Sequence, residues 1–307
     1  IELFDRSTVL NGENTMIGDS IYYNEKNGIM EAFRNVVYHD KTNKNILSGD
    51  YCKYNDIIGE AIAYGNALAK YYANKQDTLF VHADTLRLFS YNLKTDSTFR
   101  VLHGYFHARA YRSDVQAVSD SLVFNSLEHK LSLYRDPIVW SENKQIVGEE
   151  INIFANDSTI DSIYVQRQAI MIEQLDSVHF NQVTAHLLRS YFKQGEMKLN
   201  CADGNVHIVN FPLEKDSTII YQNYTETSQL RMFMENRKLR KLWAPASTGC
   251  FYVAGLAPAE RTRLSNFAWF DYIRPRNKYD LFEWRPKKKG MELKPSIRHE
   301  APIQKFE

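Results

Sequence analysis

Along the first 240 or so positions, apolar side chains fall on alternate residues in short runs, and the runs themselves recur. GDSIYYN, GDYCKYN, ADTLRLF, SDSLVFN and GEEINIF each carry an acidic anchor (Asp19, Asp50, Asp84, Asp120, Glu149) followed by apolar or aromatic residues two and four places on. Two degenerate copies, AHLLRSY and TSQLRMF, centre on His186 and Ser228, and the seven anchors are 31, 34, 36, 29, 37 and 42 residues apart. The positions two and four after them are Ile21/Tyr23, Cys52/Tyr54, Leu86/Leu88, Leu122/Phe124, Ile151/Ile153, Leu188/Ser190 and Leu230/Met232, with Ser190 the single exception to an apolar or aromatic rule. A period of two predicts strands with one buried face.

A second element follows each anchor after 15 to 21 residues: RNVVY, GNALA, GYFHA, RDPIV, RQAIM, GNVHI and GCFYV. Counting two and four places from its Gly or Arg gives Val36/Tyr38, Ala67/Ala69, Phe106/Ala108, Pro137/Val139, Ala169/Met171, Val206/Ile208 and Phe251/Val253, all suited to a core. Clusters rich in Asn, Asp, Gly and Lys separate the elements and read as turns. The predicted unit is strand, turn, strand, turn, repeated seven times. The stretch NALAKYYANK at 66–75 has helical propensity, but the tandem pattern assigns it to strand.

A flat sheet built from such units leaves its apolar face wet. Folding the stack so that the two apolar rows face each other produces an elongated half-pipe or sandwich with a dry interior. Bulky inner residues (Tyr23, Tyr54, Phe106, Phe124, Phe251) mixed with small ones (Ala67, Ala69, Ala108, Ala169) predict plugged levels alternating with open ones. Proline punctuates the end: six of eight fall at or after Pro245, and none precedes Pro137. Because proline cannot donate to a sheet ladder, this divides the chain into 1–244, the repeated β domain, and 245–307, a last strand, a proline-rich cap expected to close one end, and a basic solvated tail.

Composition changes this picture little. A chain of 307 residues with 44% hydrophobic content supports a substantial core, and 38 basic against 37 acidic residues argue for no nucleic-acid partner. No apolar run approaches the roughly 18 residues of a membrane-spanning helix. The chain begins at Ile1 and reads as a mature or trimmed form, compatible with a signal peptide or anchor removed upstream. Cys52, Cys201 and Cys250 allow one bridge and require none; each reads as a small core or sheet residue. His103 and His107 in HGYFHAR share a strand face, but no further ligand motif accompanies them, and neither metal nor cofactor is expected. The acidic anchors read as turn residues that bond backbone N–H groups, since their spacing matches neither a calcium β-roll nor a catalytic carboxylate pair. RKLRK at 237–241 reads as the solvated face of a strand.

The tandem [G/A/S]-D-x-φ-x-[F/Y] and [G/R]-N-φ-x-φ units, with the closing stretch LAPAERTRLSNFAWFDYIRPRNKYDLF at 256–282, resemble the OstA-like family of Bacteroidetes type, related to the lipopolysaccharide-transport proteins LptA, LptC and the N-terminal domain of LptD. The resemblance covers about positions 15 to 285. It implies an all-β, elongated twisted β-jellyroll (β-taco) in the periplasm, associated with the outer or inner membrane. Such a protein is not an enzyme: it shelters lipopolysaccharide acyl chains in an apolar groove between the membranes. It implies edge-strand pairing with related jellyroll proteins or self-association. By this analogy the groove is lined by Tyr23, Val36, Tyr54, Ala67, Leu86, Leu88, Phe106, Leu122, Phe124, Ile151, Ile153, Met171 and Ile208. The competing readings are a β scaffold with a fully packed interior and, ranked below it, a polysaccharide-acting enzyme using the acidic ladder.

Overall fold

The computed structural model describes residues 1–296 except 43, 73–77, 94, 157–158, 237 and 294–295. Its strands are β1 (Glu2–Asn11), β2 (Asn14–Asn24), β3 (Ile29–Asp40), β4 (Asn45–Asn55), β5 (Glu60–Tyr64), β6 (Leu68–Tyr71), β7 (Leu79–His82), β8 (Thr85–Tyr91), β9 (Phe99–Arg112) and β10 (Val115–Asn125). They continue as β11 (Lys130–Tyr134), β12 (Ile138–Ser141), β13 (Lys144–Val147), β14 (Glu150–Ala155), β15 (Ile160–Gln174), β16 (Phe180–Lys193), β17 (Glu196–Asn210), β18 (Tyr221–Glu235), β19 (Lys238–Trp243) and β20 (Thr248–Val253). Among the described residues all twenty belong to one sheet, so the chain is all-β. Its connectivity is an antiparallel meander. The short strands are halves of long ones: β4 pairs with both β5 and β6, β9 with β7 and β8, β10 with β11 and β12, β15 with β13 and β14, and β18 with β19 and β20. Residues 68–71 of the NALAKYYANK stretch are strand, and 73–75 lie outside the described residues.

Each long strand crosses a corner, dividing the sheet into two arms. On alternate long strands the corner is two consecutive residues with positive φ: Arg34 and Asn35, Gly65 and Asn66, Phe106 and His107, Arg135 and Asp136, Arg167 and Gln168, Gly204 and Asn205. Ladder register shifts at the same levels, as between Phe33 and Val36 or between Gln166 and Ala169. Left-handed residues of this kind interrupt the pleat and redirect the strand. At Gly65 a side chain is excluded twice over, by φ +68° and by an added Cβ that would stand 2.7 Å from Asp50 Cβ.

The acidic anchors occupy the intervening strands at the corner, and they clasp the neighbouring corner's side chains rather than bonding local backbone N–H groups as expected. Asn35 Nδ2 donates to Asp19 (3.1 Å), Asn66 Nδ2 to Asp50 (3.2 Å), His107 Nδ1 meets Asp84 (2.8 Å), and Arg135 donates to Asp120 (3.4 Å). Arg167 and Gln168 both donate to Glu149 (3.1 and 2.7 Å). The anchor's own N–H completes the clasp by donating to the corner carbonyl, as Asp50 does to Gly65 (2.7 Å) and Asp84 to Phe106 (3.0 Å). The last turn of the strand is set by another recurrent letter, the asparagine five places after an anchor: Asn55 and Asn125 Oδ1 each accept the N–H two residues on, at 3.0 and 2.9 Å.

The inner rows of the two arms face each other and form a continuous apolar cluster from Met16 to Leu230. All seven residues two places after an anchor (Ile21, Cys52, Leu86, Leu122, Ile151, Leu188, Leu230) are at most 2% exposed. Two expectations about these rows fail. The motif places the start of GYFHA at Gly104, but the corner is Phe106 and His107, so Ala108 and Ala110 take the inner places and Phe106 turns outward at 56% exposure. Phe251 and Val253 keep the trough-facing register on the last strand, where no further level covers them, and stand 75% and 51% exposed.

The segment after β20 does not close an end. It runs back along the stack as a strap on the outer face of one arm, from β18 towards β7 and β9. A register row across that face, Gln116, Trp140, Gln145, Ile172, Gln182 and Val209, receives it. Gln145 Nε2 donates to Ala268 O (2.7 Å) while its Oε1 accepts Phe270 N–H (2.7 Å); Gln182 does the same with Thr262 O (2.9 Å) and Leu264 N–H (2.9 Å). Gln222 Nε2 donates to Arg261 O at 2.6 Å, and Arg274 donates twice to Gln116 Oε1. Phe267, Trp269, Phe270 and Ile273 then cover Val118, Ile138, Ile170 and Phe180. The 285–290 cluster, expected as a solvated tail, is pinned: Lys287 Nζ bonds Asp136 at 2.5 Å, and Arg285 pairs with Asp280 and Glu283.

Candidate binding chamber

The trough opens along its mouth, where the hairpin turns of the two arms face each other, and the mouth is unequal along its length. Towards β1 it holds a space of about 20 Å³ beside Tyr23, Tyr54 and Asp56, and midway one of about 40 Å³ beside Leu88, Phe124 and Tyr71. These spaces accommodate a water molecule or two. Aromatic pairs spanning the arms plug this half: Tyr38 stacks on Tyr54 (5.1 Å) and Tyr71 tilts against Phe124 (5.6 Å). An ion pair latches it, Arg100 NH2 to Asp40 Oδ2 at 2.5 Å, with the Asp40 side chain 1% exposed. Burial drives the Tyr38 phenol well above its ordinary pKa, so it stays neutral in the plug.

Further along, between β9–β13 and β15–β18, the mouth opens into a chamber of about 370 Å³. Val139 and Ile146 line it from one arm, and Ile160, Ile163, Phe192, Met197 and Met234 from the other. That volume lies in the range of about 300 to 1,000 Å³ usual for small-molecule sites. Its rim is polar, with Ser113, Asp114, Ser141, Glu142, Lys144, Glu196 and Arg274. Several rim charges are already engaged: Lys144 with Glu173 (2.8 Å), Asp114 with Nε and Nη2 of Arg112 (2.6 and 2.8 Å), and Arg274 with Glu142 O (2.8 Å). The strap thus reaches the chamber rim through Arg274.

Of the thirteen residues assigned to a groove, Tyr23, Tyr54, Leu88 and Phe124 border the small spaces of the plugged half. Val36, Ala67, Leu86, Leu122, Ile151, Ile153, Met171 and Ile208 are buried in the packed interior, Phe106 is outside it, and none lines the large chamber. The chamber walls are one step further towards the rim, six places after the degenerate anchors at Phe192 and Met234. Extending the period-of-two count by one position would have found them.

The other candidate groups take structural places. His103 stacks on Tyr105 and meets Phe89 edge to face, whereas His107 sits at the corner against Asp84 and Trp284, so the two do not converge. The three cysteines are free; Cys52 and Cys201 are buried, and Cys250 is an exposed residue of β20. Burial pushes the Cys52 thiol up to about 12, leaving it protonated and inert. Hydrogen bonds from Arg6 and then Asn35 hold the Asp19 carboxyl below its usual range, as expected of a clasp that needs the ionised form. No protein-family model matches the chain, and no curated protein matches its sequence.

Proposed function

We propose that this protein is a non-enzymatic carrier that shelters acyl chains of lipopolysaccharide in the periplasm, handing them between partners of similar build. The observation that carries the reading is the chamber of about 370 Å³, walled by apolar side chains, open at a polar rim and set beside the packed apolar interior. Each methylene withdrawn from water is worth roughly 0.8 kcal/mol, so a chain of about a dozen carbons represents on the order of 10 kcal/mol that a carrier must supply. The wall residues are aliphatic, aromatic and thioether side chains, which adapt to a flexible chain. The acidic anchors hydrogen-bond corner side chains at successive levels, an arrangement that favours a structural over a catalytic role for them. Strand pairing suits the partner role: among the described residues β1 bonds only β2, and β19 and β20 bond only β18, leaving ladder groups for another sheet.

A photoreactive residue at Met234 tests the reading. Crosslinks to lipopolysaccharide are expected there and are expected to vanish in Phe192→Glu, a half-buried wall position where a charge is tolerated by the fold. Full crosslinking in the folded variant refutes it. The packed-scaffold alternative describes the half containing the Arg100 and Asp40 latch, and gentle extraction followed by native mass spectrometry separates the two: bound lipid supports the carrier.

A further inference from the structure

The structure assigns the last level of the stack, β19 with β20, as a docking surface for an anionic phospholipid bilayer, an inference independent of what the chamber holds. Charge is the first observation. The chain as a whole is balanced, yet residues 236–259 carry Arg237, Lys238, Arg240 and Lys241 and no acidic residue. Glu235, just before them, pairs with Arg240 at 3.4 Å and still leaves the cations in excess. The opposite end differs in sign, since the first thirteen residues hold Glu2, Asp5 and Glu13 against Arg6. An anionic surface therefore distinguishes the two ends.

Exposure is the second observation. Leu239, Leu242 and Trp243 are 51%, 49% and 44% exposed, and Leu256, beyond β20, is 76% exposed; Phe251 and Val253 join them from the other arm. These side chains do not share one face. Leu239 and Leu242 lie opposite Met234 and Met232 and turn to the trough. Trp243 and Lys241 lie opposite Arg231 and Phe233 and turn outward, with Lys241 Nζ 5.7 Å from the centre of the Phe233 ring. A further sheet on this edge, or a second copy of the chain, covers the ladder groups and the trough-facing side chains but leaves Trp243, Lys241 and Leu256 in water. A bilayer surface takes in all of them. Tryptophan and leucine enter the boundary between headgroups and acyl chains, while lysine and arginine reach the lipid phosphates. The edge N–H and C=O groups of β19 and β20 stay at headgroup level, where water satisfies them. The β1 edge is left for a protein partner, and the chamber comes close to the lipid, since its wall residue Met234 pairs directly with Leu239.

The test uses the full chain with vesicles of phosphatidylcholine alone and of an equimolar mixture with phosphatidylglycerol. Flotation is expected with the mixed vesicles and not with phosphatidylcholine, weakening as salt is raised. Lys238→Gln, Arg240→Gln and Lys241→Gln combined are expected to lower the partition coefficient roughly a hundredfold, at about fivefold per cation near a charged surface. Brominated phospholipid in the mixed vesicles is expected to quench tryptophan emission, and to quench it far less in Trp243→Phe, because Trp140, Trp269 and Trp284 belong to the strap and the arm face beneath it. Equal flotation with both vesicles, none with either, flotation unchanged in the triple variant, or quenching that survives in Trp243→Phe overturns the inference. The composition and salt comparisons use the unaltered protein, so a variant that fails to fold leaves the test intact. Self-association in sedimentation velocity that the triple variant abolishes, without flotation of the unaltered chain, assigns this end to a second copy and likewise overturns it. None of these results bears on whether the chamber holds an acyl chain, which the Met234 crosslink reads separately.

Discussion

Replacing Gln145 by leucine is expected to release the middle of the strap without unfolding the sheet. Gln145 is 0% exposed and satisfies three buried groups at once: the Trp140 indole N–H (3.2 Å), the Phe270 N–H (2.7 Å) and the Ala268 carbonyl (2.7 Å). Leucine fills similar space and offers none of these bonds. Each buried group left unpaired costs about 1 to 3 kcal/mol, so keeping the strap docked over leucine costs about 3 to 9 kcal/mol. Undocking instead exposes Phe270 and Ile273, at roughly 1.5 to 3 kcal/mol each, and returns two of the three groups to water. Three groups are unpaired in the docked variant and one, the Trp140 N–H, in the undocked one, so docking is weakened by about 2 to 6 kcal/mol. Amide hydrogen exchange over residues 264–274 reads this directly: protection is expected to fall there by a hundredfold or more, while the inner strands β15–β17 keep theirs. Unchanged protection of the strap in Gln145→Leu would refute the idea that the glutamine row holds it.

Two further outcomes follow from the corners and the outer face. Gly65→Ala places a Cβ against Asp50 at a positive-φ position and is expected to cost about 1 to 3 kcal/mol in urea unfolding, whereas Gly255→Ala, with nothing within 4 Å, is expected to cost less because only the backbone term applies. His82 is 6% exposed, its Nδ1 lies 2.7 Å from Ala67 O, and burial, reinforced by Arg109, lowers its pKa to about 4. The unfolded chain binds this proton from about pH 6.5 downward and the native state does not, so the stability is whole above that pH and is lost as pH falls towards 4. The loss is of order 3 kcal/mol. His82→Asn, which keeps a donor for Ala67, is expected to flatten that part of the stability profile, and an unaltered slope between pH 6.5 and 4 counts against it.

Much of this architecture was legible in the chain. The period of two after each anchor placed seven fully buried residues correctly, because pleat alternation is local and needs no knowledge of the partner strand. The anchors and the Arg–Asn or Gly–Asn pairs were visible as recurring letters, but their meaning was not: that Asp50 holds Asn66 is a fact of strand adjacency. GYFHA shows the limit, since Gly104 matched the letter of the motif while the positive-φ pair lay two residues later. VQAV, IVW and QIV in β10, β12 and β13 had lost their polar alternation, the mark of strands buried on both faces, and this was the available sign of the strap.

The sequence by itself determined an all-β chain with one apolar row per strand, since alternate side chains necessarily share a face and an apolar face must find cover. Only the tertiary structure decided where the trough is shut and where it is open. Whether Tyr38 meets Tyr54 and whether Arg100 reaches Asp40 depend on which residues two arms bring together across the interior. Those pairings join positions up to about 60 residues apart, beyond the reach of any local period.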